Sequence, residues 1–347
     1  MKLLSIVSPI YNCEKTIARL LDSIVNQKID TNLIQVVLCD DNSTDNWREI
    51  AETYVHLLPI VFCKTSSHKI HCPGNTRSDG MKYARGEWIT FIDDDDMFSK
   101  DIFMNVIDYL RNDDLYYVSS DIDQFSSDMS KHGVIDNSNR FLIHGKFYRR
   151  SFLEDHGIDF KEDLYTMEDV YFNSLMFSYL YLLPDYKNHI KFIDKIGYKW
   201  IINPDSISHS YEQNHDDWFL DAHLSEYIYA NTAPYLEMME KWAIKLSQLP
   251  NPFEYTTPLF RTVVDVYFRY QSAVYQIGHE LPDKNIPVIS SYYDSLCKMF
   301  YLDSEKLIQT CIESPEVYFN EFRSNILSSG YFIPDESFHD FVRRMLS

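Results

Sequence analysis

The chain has 347 residues, of which 45% are hydrophobic and 15% aromatic, so it can bury a sizeable core and is not a disordered chain. Its net charge of −20 and lack of a Lys/Arg run weigh against a nucleic-acid partner. Six scattered cysteines without a CxxC pair favour reduced thiols, and no apolar run approaches the roughly 18 residues of a membrane span. These features predict a cytoplasmic protein with one large and one smaller domain.

Apolar runs and helical spacings alternate along the first quarter of the chain. The predicted elements are strands at residues 3–8, 34–39, 60–64 and 87–92, with helices at 14–27, 47–58 and 75–85. This alternation is typical of an α/β fold with a mostly parallel sheet and helices on both faces. Ligands usually bind such sheets beyond the carboxyl ends of the strands.

The pattern changes near residue 215. From there to the C-terminus, long helical patterns rich in Tyr, Phe, Leu and Met are interrupted by prolines. We therefore predict an α/β domain over residues 1–215 and a helical domain over residues 216–347. The aromatic surplus of the helical domain would serve as core, as an oligomer interface or as a wall of the binding site.

Two acidic groups follow predicted strands at the same edge of the sheet. Asp40 and Asp41 come after the second strand, and Asp93 to Asp96 come after the fourth. Four adjacent carboxylates raise one another's pKa unless a cation neutralises them, and oxygen ligands suit magnesium or manganese. A solvated acidic turn is the alternative interpretation of the same residues.

Four segments resemble, in order, the signatures of family 2 glycosyltransferases with the GT-A fold. They are SIVSPIYN, VVLCDDNSTDN, GNTRSDGMKYARGEWITFIDDDD, and the stretch running from HGKFYRR to YTMEDVYF. The resemblance runs through residues 3–210. It implies a metal-dependent, inverting enzyme that moves a sugar from a nucleoside diphosphate donor, UDP-sugar by default, to an acceptor hydroxyl. The expected acceptor is a glycan.

The resemblance also implies roles in donor binding. Tyr11 would lie against the nucleobase, and Asp41 would accept a hydrogen bond from the base. Arg77 would bind the nucleotide or its phosphate, as a guanidinium does well. Asp93 would face the ribose and diphosphate, and Asp94, at the variable middle position of the DxD motif, would assist donor binding.

The implied metal ligands are Asp95, Asp93 and His209, with Asp95 ranked first. A plain turn histidine is the alternative for His209. Asp169 would be the general base that takes the proton of the acceptor hydroxyl, with Glu168 orienting donor or acceptor. An acidic residue at a helix start is also favoured electrostatically without any such role.

Other interpretations remain open at this point. His144, Gly145 and Lys146 belong to a region that lines the acceptor side by the resemblance, and an ordinary surface loop is the alternative. The acceptor could instead be a modified base in nucleic acid, as in sugar-decorated viral DNA. The chain could also be a relative that binds a sugar nucleotide without catalysis.

Overall fold

The computed structural model describes residues 2–68, 71–139, 142–162, 164, 167–180, 183, 185–202, 230 and 234. The chain divides into two compact units, one of residues 1–176 with 185–214 and the other of residues 177–184 with 215–347. Nearly all of the described residues belong to the first unit. The predicted helical domain over 216–347 lies outside the described residues, apart from Ala230 and Pro234.

Nine strands and six α-helices make up the described part of the chain. The strands are β1 (Lys2–Ile10), β2 (Ile34–Asp40), β3 (Ile60–Lys64), β4 (Gly86–Phe91), β5 (Met97–Phe98), β6 (Tyr117–Ser126), β7 (Lys131–Ile135), β8 (Lys146–Arg149) and β9 (Ile190–Ile202). The helices are α1 (Ile17–Val25), α2 (Trp47–Glu52), α3 (Pro73–Met81), α4 (Ile102–Leu110), α5 (Arg150–His156) and α6 (Glu168–Leu180). None of these helices is both long and apolar enough to cross a bilayer.

The strands of the described part form one sheet in the order β3-β2-β1-β4-β8-β6-β9-β5, with β7 paired to β6. The four strands predicted from the sequence are confirmed, and they form the parallel half of the sheet. In the other half β8 runs antiparallel to β4 and β6, whereas β9 runs parallel to β6. The predicted α/β fold is therefore confirmed, with a mixed half that the sequence did not indicate.

Helices cover both faces of the parallel half. On one face, Leu4 and Ile6 of β1 share an apolar cluster with the buried side of α1. On the other face lies Val7, because side chains alternate along a strand, and α3 packs closely over it. A Cβ atom added to Gly80 of α3 would lie 2.7 Å from Val7 Cγ1. The buried side chains of α1 recur at helical spacing: Ile17, Leu20, Leu21 and Ile24.

The second helix is shorter than the sequence predicts. It ends at Glu52 instead of continuing to residue 58. Beyond it, the N–H groups of Thr53, Tyr54 and Val55 donate to carbonyl oxygens three residues back, at 3.1, 3.0 and 3.4 Å. These tighter hydrogen bonds close the helix in a 3-10 turn. The prediction of a helix over 47–58 is therefore wrong in its second half.

An aromatic cluster fixes α6 beside the end of β4. Phe91, the last residue of β4, packs edge-on against Phe160 and Phe172, with ring centroids 5.3 and 5.6 Å away. Phe160 and Phe172 stack at 4.5 Å, and Tyr148 of β8 meets Phe172 at 5.2 Å. Aromatic pairs at these separations are attractive beyond their buried area. The start of α6 is therefore anchored close to the segment that follows β4.

Gly86 is expected to be irreplaceable at the start of β4. A Cβ atom there would lie 2.4 Å from the backbone nitrogen of Ser5 and 2.7 Å from the carbonyl carbon of Leu4. We expect Gly86→Ala to lower the free energy of unfolding by about 3 kcal/mol, at the upper end of overpacking costs, as measured by urea unfolding. Gly133→Ala on β7 is the matched control, because its Cβ would meet only Gln124 Oε1 at 3.8 Å. Equal unfolding midpoints for the two variants would contradict the prediction.

Candidate active site

The carboxyl ends of β1, β2 and β4 meet at one edge of the sheet. Tyr11 follows β1 directly, and its backbone N–H donates to Asp94 Oδ2 at 2.9 Å. Asp41 follows β2, and its N–H donates to the carbonyl oxygen of Ile10 at 2.8 Å. The segments that the sequence places after three separate strands are therefore held together by direct hydrogen bonds.

Tyr11 and Asp41 offer the groups that a nucleobase needs. The Tyr11 side chain is among the most exposed large apolar groups of the described part, at 63%. The Asp41 carboxylate lies between the ends of β2 and β3, where its Oδ1 accepts from Thr65 Oγ1 at 3.1 Å and lies 2.9 Å from His71 Nδ1. An open aromatic face and a hydrogen-bond acceptor can together take a flat heterocycle.

Arg77 of α3 joins two distant parts of the chain. It is buried, with 3% exposure, and donates to Asp93 Oδ1 at 2.5 Å and to Glu168 Oε1 at 2.8 Å. Burial opposes the charge, but the two carboxylates outweigh it and raise the pKa of Arg77 above its ordinary value. Charge-assisted bonds of this kind are strong, and they hold the segment after β4 against the start of α6.

Asp93 is held from both sides. Its Oδ2 lies 3.2 Å from His144 Nε2, opposite the Arg77 contact. Burial alone would raise the pKa of Asp93, but Arg77 and His144 outweigh it and keep that pKa below its ordinary range. His144 is itself buried, at 8% exposure, and stacks on Trp200 with ring centroids 5.6 Å apart. The alternative of an ordinary surface loop at His144 is therefore wrong.

The remaining carboxylates of the acidic segment have different surroundings. Asp94 faces Tyr11, and burial, followed by the charge of Asp95, raises its pKa to about 8. Asp96 is buried, and it accepts from the Tyr198 hydroxyl at 2.5 Å and the Ile201 N–H at 2.7 Å. Burial and the neighbouring carboxylates raise the pKa of Asp96 as well. Asp95 thus lies within electrostatic reach of both neighbours.

Part of this segment fits a divalent cation. Asp93, Asp96 and His144 each bring one ligand atom to within 4.8 Å of the others, and the two carboxylates are oxygen ligands of the kind that suits manganese or magnesium. Asp95, ranked first from the sequence, is not in this group but adjoins it in the chain. The predicted ligand His209 lies outside the described residues.

Glu168 and Asp169 open α6, as the sequence predicts. Burial and the charge of Asp169 raise the pKa of Glu168 to about 7, although Arg77 acts in the opposite direction. Burial also raises the pKa of Asp169, whose Oδ1 accepts from the N–H of Val170 at 2.7 Å. Two adjacent half-buried carboxylates with elevated pKa values are typical of sites that transfer protons near neutral pH.

The start of α3 lies directly against Glu168. A Cβ atom at Gly74 would come within 2.7 Å of Glu168 Cγ and 2.8 Å of its Cβ. Any larger residue at position 74 would therefore displace the Glu168 side chain. The glycine of the GNTRSDG segment is required by this close approach.

Charged and titratable groups face Asp169 from several elements. They are Arg77 of α3, Asp93 after β4, His144 before β8, Lys146 and Tyr148 of β8, and Glu168 of α6. Lys146 was predicted only as part of the region that lines the acceptor side by the resemblance, and its burial was not predicted. A lysine beside aromatic residues in the segment KFYR was the available signal, because a lysine in a buried strand needs a reason.

Comparisons with known proteins identify the family of this region. Residues 5–172 match the family described as Glycosyl transferase family 2. Poly(ribitol-phosphate) beta-N-acetylglucosaminyltransferase TarS of Staphylococcus aureus (strain Mu50) is 30% identical over 179 residues, which cover 48% of this chain and 31% of TarS. Minor teichoic acid biosynthesis protein GgaB of Bacillus subtilis (strain 168) is 36% identical over 107 residues, 30% of this chain and 12% of GgaB.

A third relative is the poly(ribitol-phosphate) beta-glucosyltransferase of Bacillus spizizenii, 35% identical over 101 residues, 29% of this chain and 16% of that protein. The chain thus spans less than a third of the length of these curated relatives. The crystal structure of S. aureus TarS 1-349 in complex with UDP-GlcNAc aligns with a TM-score of 0.61 at 18% identity, covering 96% of this chain and 93% of that one. This likeness confirms the GT-A fold.

Removal of the Arg77 charge is expected to destabilise the site strongly. Arg77→Met leaves the half-buried carboxylates of Asp93 and Glu168 without their guanidinium, which we expect to lower the free energy of unfolding by about 3 kcal/mol, the lower end of the range for a broken buried ion pair. Adding Glu168→Gln removes one of the two uncompensated charges, so the double variant should lose less than the sum of the single losses. Denaturant unfolding of the single and double variants measures this coupling.

The control for this cycle is Glu52→Gln, which breaks an exposed pair with Arg48 and leaves the contact of Arg48 with the Phe62 ring in place; the two side chains are 54% and 48% exposed. Exposed pairs contribute little, so this variant should change stability by less than about 1 kcal/mol. Strictly additive losses for Arg77→Met and Glu168→Gln would show that the buried contact does not couple the two groups.

Proposed function

We propose that this chain, whose residues 5–172 form a family 2 glycosyltransferase domain, transfers a sugar from a nucleoside diphosphate donor to an acceptor hydroxyl. The observation that carries the proposal is the Arg77 contact, which joins Asp93 to Glu168. It brings the acidic segment after β4 next to the two carboxylates that open α6. Sugar transfer needs this combination, a place for the diphosphate beside a base for the acceptor.

The proposed reaction is a single displacement with inversion. The acceptor hydroxyl oxygen attacks the anomeric carbon, the bond from that carbon to the diphosphate oxygen breaks, and the hydroxyl proton passes to Asp169. The diphosphate leaves as an anion and needs no proton, so one base is sufficient. Glu168, whose carboxylate is fixed by Arg77, orients the donor or acceptor.

The donor would be bound along the sheet edge. Tyr11 stacks on the base, Asp41 accepts a hydrogen bond from it, and Arg77, Asp93 and Asp94 face the ribose and diphosphate side. Asp93 and Asp95 would hold a divalent cation, and Asp96 and His144 bring further ligand atoms to Asp93. When bound, the cation neutralises charge on the diphosphate.

We propose a UDP-sugar as donor and a glycan hydroxyl as acceptor. TarS, which shares the fold, has been crystallised with UDP-GlcNAc, and two relatives are named for N-acetylglucosaminyl and glucosyl transfer to poly(ribitol-phosphate). UDP-GlcNAc and UDP-glucose are therefore the first donors to assay, against both a neutral oligosaccharide and poly(ribitol-phosphate). The second compact unit, with residues 215–347, is proposed to bind the acceptor or to mediate oligomerisation.

We place the reaction in the cytoplasm. Four buried cysteines, Cys13, Cys39, Cys63 and Cys72, carry free thiols. Cys39 and Cys63 face each other in register on the neighbouring strands β2 and β3 without a disulfide between them. Unpaired cysteines in such proximity support a reducing compartment.

UDP binding is expected to depend on a divalent cation. Carboxylates at the end of β4 repel a diphosphate unless a cation lies between them, so UDP should bind at least about 10-fold more weakly without manganese or in Asp95→Ala. Isothermal titration of UDP with and without manganese measures this effect. Asp108→Ala, an exposed carboxylate on α4, is the control and should bind like wild type. Tight UDP binding that ignores both chelator and Asp95→Ala would remove the cation from the proposal.

Sugar transfer is expected to require the ionised form of Asp169. Asp169→Asn keeps the shape and removes the basicity, so the transfer rate should fall by about 10²–10⁴-fold while UDP affinity changes little. Because burial raises the pKa of Asp169, wild-type activity should decline as pH falls, starting above the ordinary range of a carboxyl group. This acid limb should be missing from residual activity of the variant.

The rate and the affinity are measured on the same preparations, so that UDP binding serves as the internal control. If Asp169→Asn transfers sugar at the wild-type rate, the base is another group and Glu168 is tested next. If the variant loses UDP affinity in step with rate, Asp169 belongs to the donor-binding shell instead.

A further inference from the structure

His68 is a histidine that lies between two carboxylates. Its Nε2 is 2.8 Å from Asp79 Oδ2 of α3, and its Nδ1 is 3.1 Å from Glu162 Oε1 in the segment before α6. The side chains of His68 and Asp79 are 15% and 3% exposed. We call these three residues the His68 clamp, because the histidine joins the segment after β3 to α3 and to the segment that leads into α6.

The two contacts fit the protonated ring. A neutral imidazole has one N–H and can donate to only one carboxylate, so its other nitrogen would face the second carboxylate lone pair to lone pair. An imidazolium donates from both nitrogens, and charge-assisted bonds to carboxylates are strong. Burial opposes the charged form of His68, but Asp79 and Glu162 outweigh it and raise the pKa of the ring above its ordinary value.

Asp79 anchors the clamp in α3. Besides the His68 ring, its oxygens accept from the Ser66 N–H at 2.6 Å, the Ser66 hydroxyl at 3.2 Å and the Lys82 ammonium at 2.5 Å. Burial alone would raise the pKa of Asp79, but Lys82, Ser66 and His68 outweigh it and lower that pKa to about 2. The Asp79 carboxylate is therefore ionised throughout the range in which a histidine titrates.

The contact with Glu162 is the part of the clamp that depends on pH. The charged groups around His68 are Asp79 and Lys82 of α3 and Glu162 before α6, where Asp159 acts in turn on Lys82. When His68 loses a proton, its one remaining N–H should stay with Asp79, because a buried carboxylate loses more than an exposed one when it is left unpaired. The Glu162 side chain is 61% exposed.

The clamp adjoins the carboxylate that is assigned to the nucleobase. Thr65, three positions before His68, donates from its hydroxyl to Asp41 Oδ1 at 3.1 Å. His71, three positions after His68, has its Nδ1 2.9 Å from the same oxygen. His68 therefore lies in the chain between both partners of Asp41. Tying Ser66 and His68 to Asp79 fixes the position from which Thr65 reaches Asp41.

We propose that protonated His68 is a positioning residue for donor binding, which ties the segment after β3 to α3 and to the segment before α6 and so holds the partners of Asp41 in place. The inference rests on the proposed function, since it takes Asp41 as the acceptor for the nucleobase. His68 acts through Asp41 and does not touch the donor. Its contribution to nucleotide affinity is present while the ring is protonated and is lost as the pH rises.

The first measurement concerns the clamp itself and needs no nucleotide. The pKa of His68, followed by NMR through its ring Cε1–H signal and assigned with His68→Gln, should exceed the ordinary value of about 6.5. Glu162→Gln keeps the size of the side chain and removes its charge, so it should lower the pKa of His68. A His68 pKa at or below about 6.5 in the wild-type chain would overturn the inference.

The clamp also predicts how stability depends on pH. Because the pKa of His68 is higher in the folded than in the unfolded chain, its stabilisation is fully present below about pH 6.5 and is lost as the pH rises through the folded pKa. The difference in urea midpoint between wild type and His68→Gln should therefore shrink as the pH rises. A difference that is constant with pH would contradict a charged clamp.

The second measurement compares the UDP affinity of wild type and His68→Gln by isothermal titration with magnesium at pH 6 and pH 8.5. At pH 6 the variant should bind UDP about 5-fold more weakly, at the lower end of the coupling between linked sites, and at pH 8.5 the two should bind alike. Comparison at each pH cancels the groups that titrate in both proteins. His56→Gln, at an exposed histidine after α2, is the matched control and should follow wild type at both pH values.

The outcomes separate this inference from the proposed function. If wild type binds UDP and His68→Gln binds it equally well at pH 6, the positioning role is overturned and the proposed function stands. If His68→Gln loses UDP affinity equally at both pH values, the side chain serves the fold without its charge and the inference is wrong. If wild type binds UDP at neither pH, the proposed function fails and the role of His68 in donor binding fails with it.

Discussion

The site depends on one buried guanidinium. Arg77 leaves water to lie between Asp93 and Glu168, which is favourable because both carboxylates accept its hydrogen bonds within 2.8 Å. The contact spans 91 positions of the chain on one side and 16 on the other. It fixes where α6 begins relative to the end of β4, and so it determines the distance between the acidic segment and Asp169. One guanidinium does not neutralise all the surrounding carboxylates, so the site favours a further positive charge.

Three of the four aspartates after β4 have clearly different contacts. Asp93 is clamped by Arg77 and His144, and Asp94 holds the turn after β1 through the N–H of Tyr11. Asp96 secures β9 through Tyr198 and Ile201. Two of the four therefore shape the edge of the sheet, and Asp96 does so while it also brings a ligand atom to Asp93 and His144. These differences arise from tertiary contacts, so they could not be predicted from four adjacent aspartates in the sequence.

The sequence predicted the parts of the structure that local patterns determine. Strands β1 to β4 are continuous apolar runs, and α1 repeats its apolar residues every three or four positions, so both were predictable. The position of the candidate site, beyond the carboxyl ends of these strands, then followed from the general rule for parallel sheets. The strands β5 and β8 have two and four residues, and β6 pairs with β9 far along the chain. Local sequence patterns do not predict strands this short, or pairing between strands so far apart in the chain.

The same limit applied within the site. The roles proposed for Tyr11, Asp41, Asp95 and Asp169 came from the family resemblance, because a carboxylate at a strand end or a helix start has ordinary explanations too. The burial of His144 and Lys146 was not predictable, since it depends on Trp200 and on strands that the sequence did not indicate. Arg77 was predicted to bind phosphate. Its contacts with Asp93 and Glu168 were not predictable, because they depend on how α3, the end of β4 and the start of α6 pack together.

The contact between Gly74 and Glu168 has a consequence for protein engineering. Because a Cβ atom at position 74 would lie less than 3 Å from the Glu168 side chain, these two positions behave as a single unit in any search for altered specificity. A library that varies residue 168 alone contains only side chains that pack against the glycine at position 74. One that enlarges residue 74 must shrink residue 168 in the same clone, for example to serine or alanine. Paired codons at these two sites would therefore sample variants that sequential single-site screening discards.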